Sequence, residues 1–134
     1  MDKKAIIYIY ISLQTELNKH DSNFQLKACS EYAKQNGYVI FEPAYIDDVR
    51  QKDPKDTREL ARVLEYLLTN KDNVSSMIIY NSALLPSDKY TRSILFADFK
   101  NEGFKIISVT EGEIELKTNV FLQILRYFVN HVSM

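Results

Sequence analysis

The sequence predicts an α/β fold: a doubly wound three-layer sandwich around a mainly parallel sheet of four to five strands. Three observations predict it. Ala5-Ile6-Ile7-Tyr8-Ile9-Tyr10-Ile11 is an unbroken apolar and β-branched run, without Gly or Pro, which suits a strand buried by helices on both faces. Strand-like runs then alternate with amphipathic helical patterns along the chain, and that alternation implies parallel strands joined by right-handed crossovers. Finally, the 134 residues hold no repeat, low-complexity tract or linker, so residues 1–134 are expected to form a single domain.

Each element has its own signal. The first strand stops on Ser12, and residues 13–21 lack periodicity, so they are expected to form a mobile loop. Ser22-Asn23-Phe24-Gln25 has the form of a capping box, opening a helix that carries Phe24, Ala28, Cys29, Tyr32 and Ala33 until Gly37 stops it. A second strand covers residues 38–46, passing Pro43, with Asp47 and Asp48 at its carboxyl end. After a charged loop, Asp56-Thr57-Arg58-Glu59 repeats the capping-box pattern ahead of Leu60, Val63, Leu64 and Leu67, the i, i+3, i+4, i+7 face of a second helix. Residues 77–80 are the third strand. An apolar loop follows, and Ser87 or Asp88 caps a third helix bearing Tyr90, Ile94, Leu95 and Ala97, closed by Gly103. The fourth strand is residues 104–109, with a turn around Gly112. Phe121, Ile124, Leu125, Phe128, Val129 and Val132 form one apolar stripe on a last helix.

Composition removes several function classes. Seventeen basic against 18 acidic residues give a net charge of −1 with no dense Lys/Arg cluster, so DNA is expected to bind no tighter than ~100 μM, the non-specific range. The single Cys29 excludes an internal disulfide, and His20 and His131 lie too far apart in sequence to suggest zinc; no metal and no cofactor is expected. Without a signal peptide or an apolar run of spanning length, the chain reads as a cytoplasmic protein with no membrane contact.

Chemistry in open α/β sheets collects outside the carboxyl ends of the strands. Ser12 stands there as a candidate nucleophile, and the acidic pair Asp47-Asp48 is expected to point into the same crevice. An unrelated small-molecule site over these three residues, with Mg²⁺ on the carboxylates, is the weakest reading because no Gly-rich phosphate loop accompanies them.

Read together, these residues resemble the catalytic domain of the serine recombinases, the resolvase, invertase and large integrase family. The likeness covers nearly the whole chain. The family's Tyr-x-Arg-x-Ser strand motif reads Tyr8-Ile9-Tyr10-Ile11-Ser12, followed by a family-type glutamine at Gln25 and aspartate at Asp47. Leu60-Ala61-Arg62-Val63-Leu64 stands at the family's second helix, residues 104–111 look like its fourth strand with a terminal Thr-Glu, and Phe121-Leu122-Gln123-Ile124-Leu125 is similar to the start of its pairing helix. The resemblance implies a resolvase-like fold and, in an active member, attack of the serine on a DNA phosphodiester through a phosphoserine intermediate, with no metal or nucleotide.

The departures from the family pattern fall on the charges this chemistry requires. A metal-free phosphoryl transfer needs guanidinium groups on its equatorial oxygens. Here the motif arginine is Tyr10, and the family's Asp-Arg-x-x-Arg falls on Ala83-Leu84-Leu85-Pro86-Ser87. Each lost donor typically costs about 3 kcal/mol of transition-state stabilisation, so three losses approach about 9 kcal/mol before non-additivity. The expected function is therefore a catalytically inactive, recombinase-derived domain acting through homodimer formation or pairing with a related recombinase, with Phe121, Leu125, Phe128 and Val132 at the interface. The sheet is expected to cover only the first part of that stripe. The chain is also expected to lack a DNA-binding module beyond the last helix, so that it does not select a DNA site alone. The alternative is a strand-cleaving subunit in which Ser12 is the nucleophile, Gln25 and Asp47 position it, and Arg50 or Arg58 supplies charge. Under the inactive reading the crevice floor is apolar, formed by Tyr10, Leu84 and Leu85.

Overall fold

β1 (Lys3–Ile11) is the inner strand on which the sheet is built, in a computed structural model that describes residues 3–132 apart from the side chains of Glu42 and Val132. All seven residues from Ala5 to Ile11 are buried, so the strand is enclosed on both faces. β2 (Tyr38–Asp48) pairs with it in parallel from Lys3↔Tyr38 to Ile11↔Asp48, with a register shift between Ile6 and Tyr8 beside Pro43. Proline is tolerated there because β2 is an edge strand. On the other side β3 (Ser76–Ile79) pairs in parallel, but only from Ala5↔Ser76 to Ile7↔Ile78. β4 (Lys105–Ser108) continues the sheet, and the two-residue β5 (Gly112–Glu113) closes it antiparallel, giving the order β2-β1-β3-β4-β5. The turn expected at Gly112 therefore carries a fifth strand.

Period-two alternation sorts β1 between two cores. Ile6, Tyr8 and Tyr10 join Val63 and Leu67 of α3 (Arg58–Thr69) and Phe99 of α4 (Lys89–Glu102), whereas Ala5, Ile7, Ile9 and Ile11 join Cys29 and Ala33 of α2 (Ser22–Gln35). Burying side chains of this size contributes about 1.5–3 kcal/mol each. Gly103 ends α4 in the left-handed conformation at φ +75°, which a β-carbon would disfavour.

Several expectations are corrected. Residues 13–21 are not wholly a loop: α1 (Leu13–Leu17) forms there because Ser12 and Thr15 cap each other, a Ser-x-x-Thr pairing in place of the usual acidic partner. The N-cap of α2 is Asp21 rather than Ser22, its carboxylate accepting the Phe24 N–H at 2.8 Å. Thr57, at the N-cap of α3, makes no side-chain cap bond, and Asp56 is engaged with Arg58 instead. Tyr90 is 70 % exposed rather than part of the α4 core face, and Phe24 stands partly in solvent over His20.

The last helix, α5 (Val120–Val132), rests on α4 and not on the sheet, contrary to the expectation that the sheet covers its first part. Phe121 is 78 % exposed and Phe128 57 %, and Ile124 and Leu125 are exposed as well; the Val132 side chain lies outside the described set. Among the described residues no helix is long and apolar enough to cross a membrane.

Candidate functional site at the carboxyl end of the sheet

β1 delivers Ser12 to the carboxyl end of the sheet, where it becomes the N-cap of α1. Its Oγ accepts the Thr15 N–H at 3.2 Å, while Thr15 Oγ1 accepts the Ser12 N–H at 2.8 Å and donates to the Ser12 carbonyl at 2.8 Å. Ser12 lines a cavity of about 310 Å³ between the ends of β1 and β3, together with Asn18, His20, Tyr80, Asn81 and Thr110. This is where strand order reverses direction around β1 and β3, the usual position of ligand crevices in such sheets. His20 and Tyr80 form one wall, their ring centroids 5.0 Å apart, backed by Phe24 at 4.9 Å from His20. The position of Asn81 and Thr110 just beyond strands three and four could have placed them here from sequence; nothing in the sequence marks His20.

Gln25, a capping-box residue by its pattern and a positioning group by the resemblance, lies fully buried behind the cavity. Its amide nitrogen donates to the carbonyls of Tyr10 at 2.9 Å and His20 at 2.8 Å, and its oxygen accepts the Tyr10 N–H at 3.4 Å. The Ile11 carbonyl accepts the Val49 N–H on the β2 side, so Tyr10 presents both backbone groups to the β3 side. There the ladder has already ended at Ile7↔Ile78, and Gln25 takes the vacated positions. The glutamine thus completes the end of β1 and steadies the strand terminus that carries Ser12.

Asp47 and Asp48 do not converge on Ser12. They are consecutive strand residues and take opposite faces. Asp47 is buried and accepts three bonds: the Tyr8 hydroxyl at 2.8 Å and the backbone N–H groups of Glu59 and Leu60 at 3.0 Å each. It is the missing cap of α3, supplied from a neighbouring strand. Burial and the adjacent Asp47 charge push the Tyr8 hydroxyl far above the ordinary phenol range, so it donates as a neutral phenol. Asp48 instead chelates Arg50 at 2.9 and 2.6 Å, and the hydrogen bonds from Arg50 hold its carboxyl below the usual range. Arg50 also reaches Glu16 at 3.5 Å.

The expected substitute cations are thus occupied elsewhere. Arg50 is held between two carboxylates, Arg58 is exposed beside Asp56 at 3.2 Å, and neither hydrogen-bonds Ser12. Arg92, which sequence reading passed over, lies beneath the 3-10 turn Ser82–Leu84 and donates to the carbonyls of Ser82 at 3.0 Å and Pro86 at 3.1 Å. Tyr10, where the motif arginine would stand, is buried against α3 and α4, and Leu85 is buried with it; of the three residues expected to form an apolar floor, only Leu84 lines the cavity. The wall on the β4 side is fixed by Glu111, whose carboxylate accepts the Ser82 N–H at 2.7 Å, the Ser82 hydroxyl at 2.8 Å and the Ser108 hydroxyl at 2.9 Å. Among the described residues no cluster of His, Cys, Asp and Glu is arranged to hold a metal ion.

The strand order and the helices that flank the sheet make up a resolvase-like α/β fold. Over 98 % of its length the chain superposes on a crystal structure of a resolvase family site-specific recombinase from Streptococcus pneumoniae, covering 87 % of that chain at a TM-score of 0.70 and 17 % identity. It is similarly close to the N-terminal catalytic domain of TP901-1 integrase, with a TM-score of 0.68 and 17 % identity over 96 % of this chain and 95 % of that one. No protein-family model and no curated protein matches the sequence.

Proposed function

We propose that this is a recombinase-like domain that no longer cuts DNA and acts by pairing, with a second copy of itself or with a related recombinase. The observation that carries the reading is the seating of α5. The helix turns Gln123, Arg126 and Asn130 toward α4 and leaves Phe121, Ile124, Leu125 and Phe128 in water. An apolar stripe about two turns long on a helix that its own domain engages through polar groups suits a homotypic interface across a two-fold axis. Loss of cleavage is supported by the surroundings of Ser12: its oxygen is used as a helix cap, and Arg50, Arg58 and Arg92 are each engaged with other groups.

Light scattering at rising concentration tests the pairing. A dimer is expected for the native chain and a monomer for Phe128→Asp; a native monomer, or a dimer that ignores the substitution, refutes pairing with a second copy through this stripe. Incubation of native protein and Ser12→Ala with supercoiled DNA tests the chemistry. Equal, uncleaved outcomes are expected, whereas a covalent protein–DNA adduct that requires Ser12 would establish the strand-cleaving alternative.

A further inference from the structure

α5 has two opposed faces. Successive residues on a helix advance by 100°, so Leu122, Gln123, Arg126 and Asn130 fall on one side, and these are its partly buried positions. Phe121, Ile124, Leu125 and Phe128 fall on the other, and all four are exposed. A helix seated by apolar packing alone would be turned the opposite way. Beneath the polar face lies Asp98 of α4, an ionisable side chain only 2 % exposed. Its carboxylate accepts two bonds from Arg126, at 2.9 and 3.1 Å, and one from Asn130 at 3.2 Å. Asn101 of α4 donates to the Gln123 carbonyl, and Glu102 meets His131 at 2.9 Å, so the same seam continues along both helices.

We infer that Asp98 is the positioning residue of the α5 surface: by holding Arg126 and Asn130 it fixes the rotation of α5 about its own axis and keeps the apolar stripe turned outward. The physical reason is asymmetry. A buried carboxylate stripped of its partners is far costlier than the pair is favourable, so any roll of α5 that brought Phe121 or Phe128 against α4 would strand Asp98 without donors. The ion pair therefore acts against the alternative packing more than it adds to stability, the registry role that buried polar groups fill in helical assemblies. In biological terms this inference rests on the proposal that the stripe is a pairing surface; its geometry does not.

The test reads rotation directly. The chain has one cysteine, Cys29, which is buried, so a cysteine introduced by Phe128→Cys is the reactive thiol, and the labelling is read at a dilution where light scattering shows that variant to be monomeric. In this background, Asp98→Leu/Arg126→Leu removes the polar requirement, and labelling at position 128 is expected to slow at least tenfold as the stripe rolls onto α4. Asp98→Asn/Arg126→Gln keeps a polar, hydrogen-bonding seam and is expected to label at the background rate. Unchanged labelling in the leucine variant, whether α5 stays in place or detaches, overturns the inference, and so does slowing in both variants. Light scattering of the native chain reports separately on pairing: a native monomer whose labelling still depends on Asp98 would remove the pairing proposal and leave the orientation role standing.

Discussion

The side chain of Gln25 bonds both backbone groups of Tyr10, standing in for a strand where β3 has parted from β1. That parting opens the cavity at Ser12, and the glutamine keeps the exposed end of β1 satisfied. Gln25→Leu is expected to leave the Tyr10 N–H and the Tyr10 and His20 carbonyls without partners at a buried site, costing about 3 kcal/mol and lowering the melting temperature by roughly 10 °C. Thermal unfolding followed by circular dichroism checks this. A shift within 2 °C of native would show that the amide is dispensable.

Asp47 serves structure from a position where the sequence suggested chemistry. Asp47→Ala removes the cap of α3 and the acceptor of the buried Tyr8 hydroxyl together, and is expected to cost about 2–4 kcal/mol. Urea denaturation measures the loss. Hydrogen exchange at Glu59 and Leu60 should accelerate more than in the last turn of α3; uniform acceleration along the helix would contradict a capping role.

Glu111 makes part of the stability depend on acid. The Ser82 N–H, followed by the Ser82 and Ser108 hydroxyls, holds its carboxyl below the usual range against a smaller opposing effect of desolvation. A carboxyl whose pKa is lower in the folded chain stabilises above its unfolded value, about 4.3, and loses that contribution as pH falls through the folded value. Glu111→Gln is therefore expected to be less stable than native at pH 6, with the two curves converging as pH falls below the ordinary carboxylate range. Urea midpoints measured across that range decide it, and a constant gap at every pH would rule out the carboxylate as the cause.

Cys29 sits in the α2 core with its thiol pushed up to about 12 by burial. Thiolate is the reactive form, so a disulfide reagent at pH 8 is expected to leave the folded protein untouched and to react fully once denaturant is added. Rapid reaction of the native chain would place α2 away from the sheet.

The fold was legible because its signals are repetitive. The apolar run of β1, the Leu60, Val63, Leu67 face of α3 and Gly103 closing α4 each report a local period or a single backbone requirement. The site was less legible because its polar groups act over distance. A capping box can be looked for within four residues, but the carboxylate that caps α3 comes from Asp47, twelve residues before Glu59, and Gln25 fits its helix pattern equally well whether it caps that helix or crosses to β1. The separation of the acidic pair has a simpler cause. Adjacent strand residues face opposite ways, which separates Asp47 from Asp48 whatever their shared charge. On α5 the stripe was visible, but not its orientation, because that depends on Asp98, 28 residues from Arg126.

Because the carboxylate that starts α3 arrives from β2, twelve residues before Glu59, the first turn of that helix is complete only when the loop between the edge strand and the helix is closed. The start of α3 is thereby tied to the end of β2, where an ordinary cap would tie it only to its own first turn. A peptide carrying α3 alone would fray from Arg58 inward, and in the whole chain α3 and the edge strand β2 should gain and lose their protection as one cooperative unit.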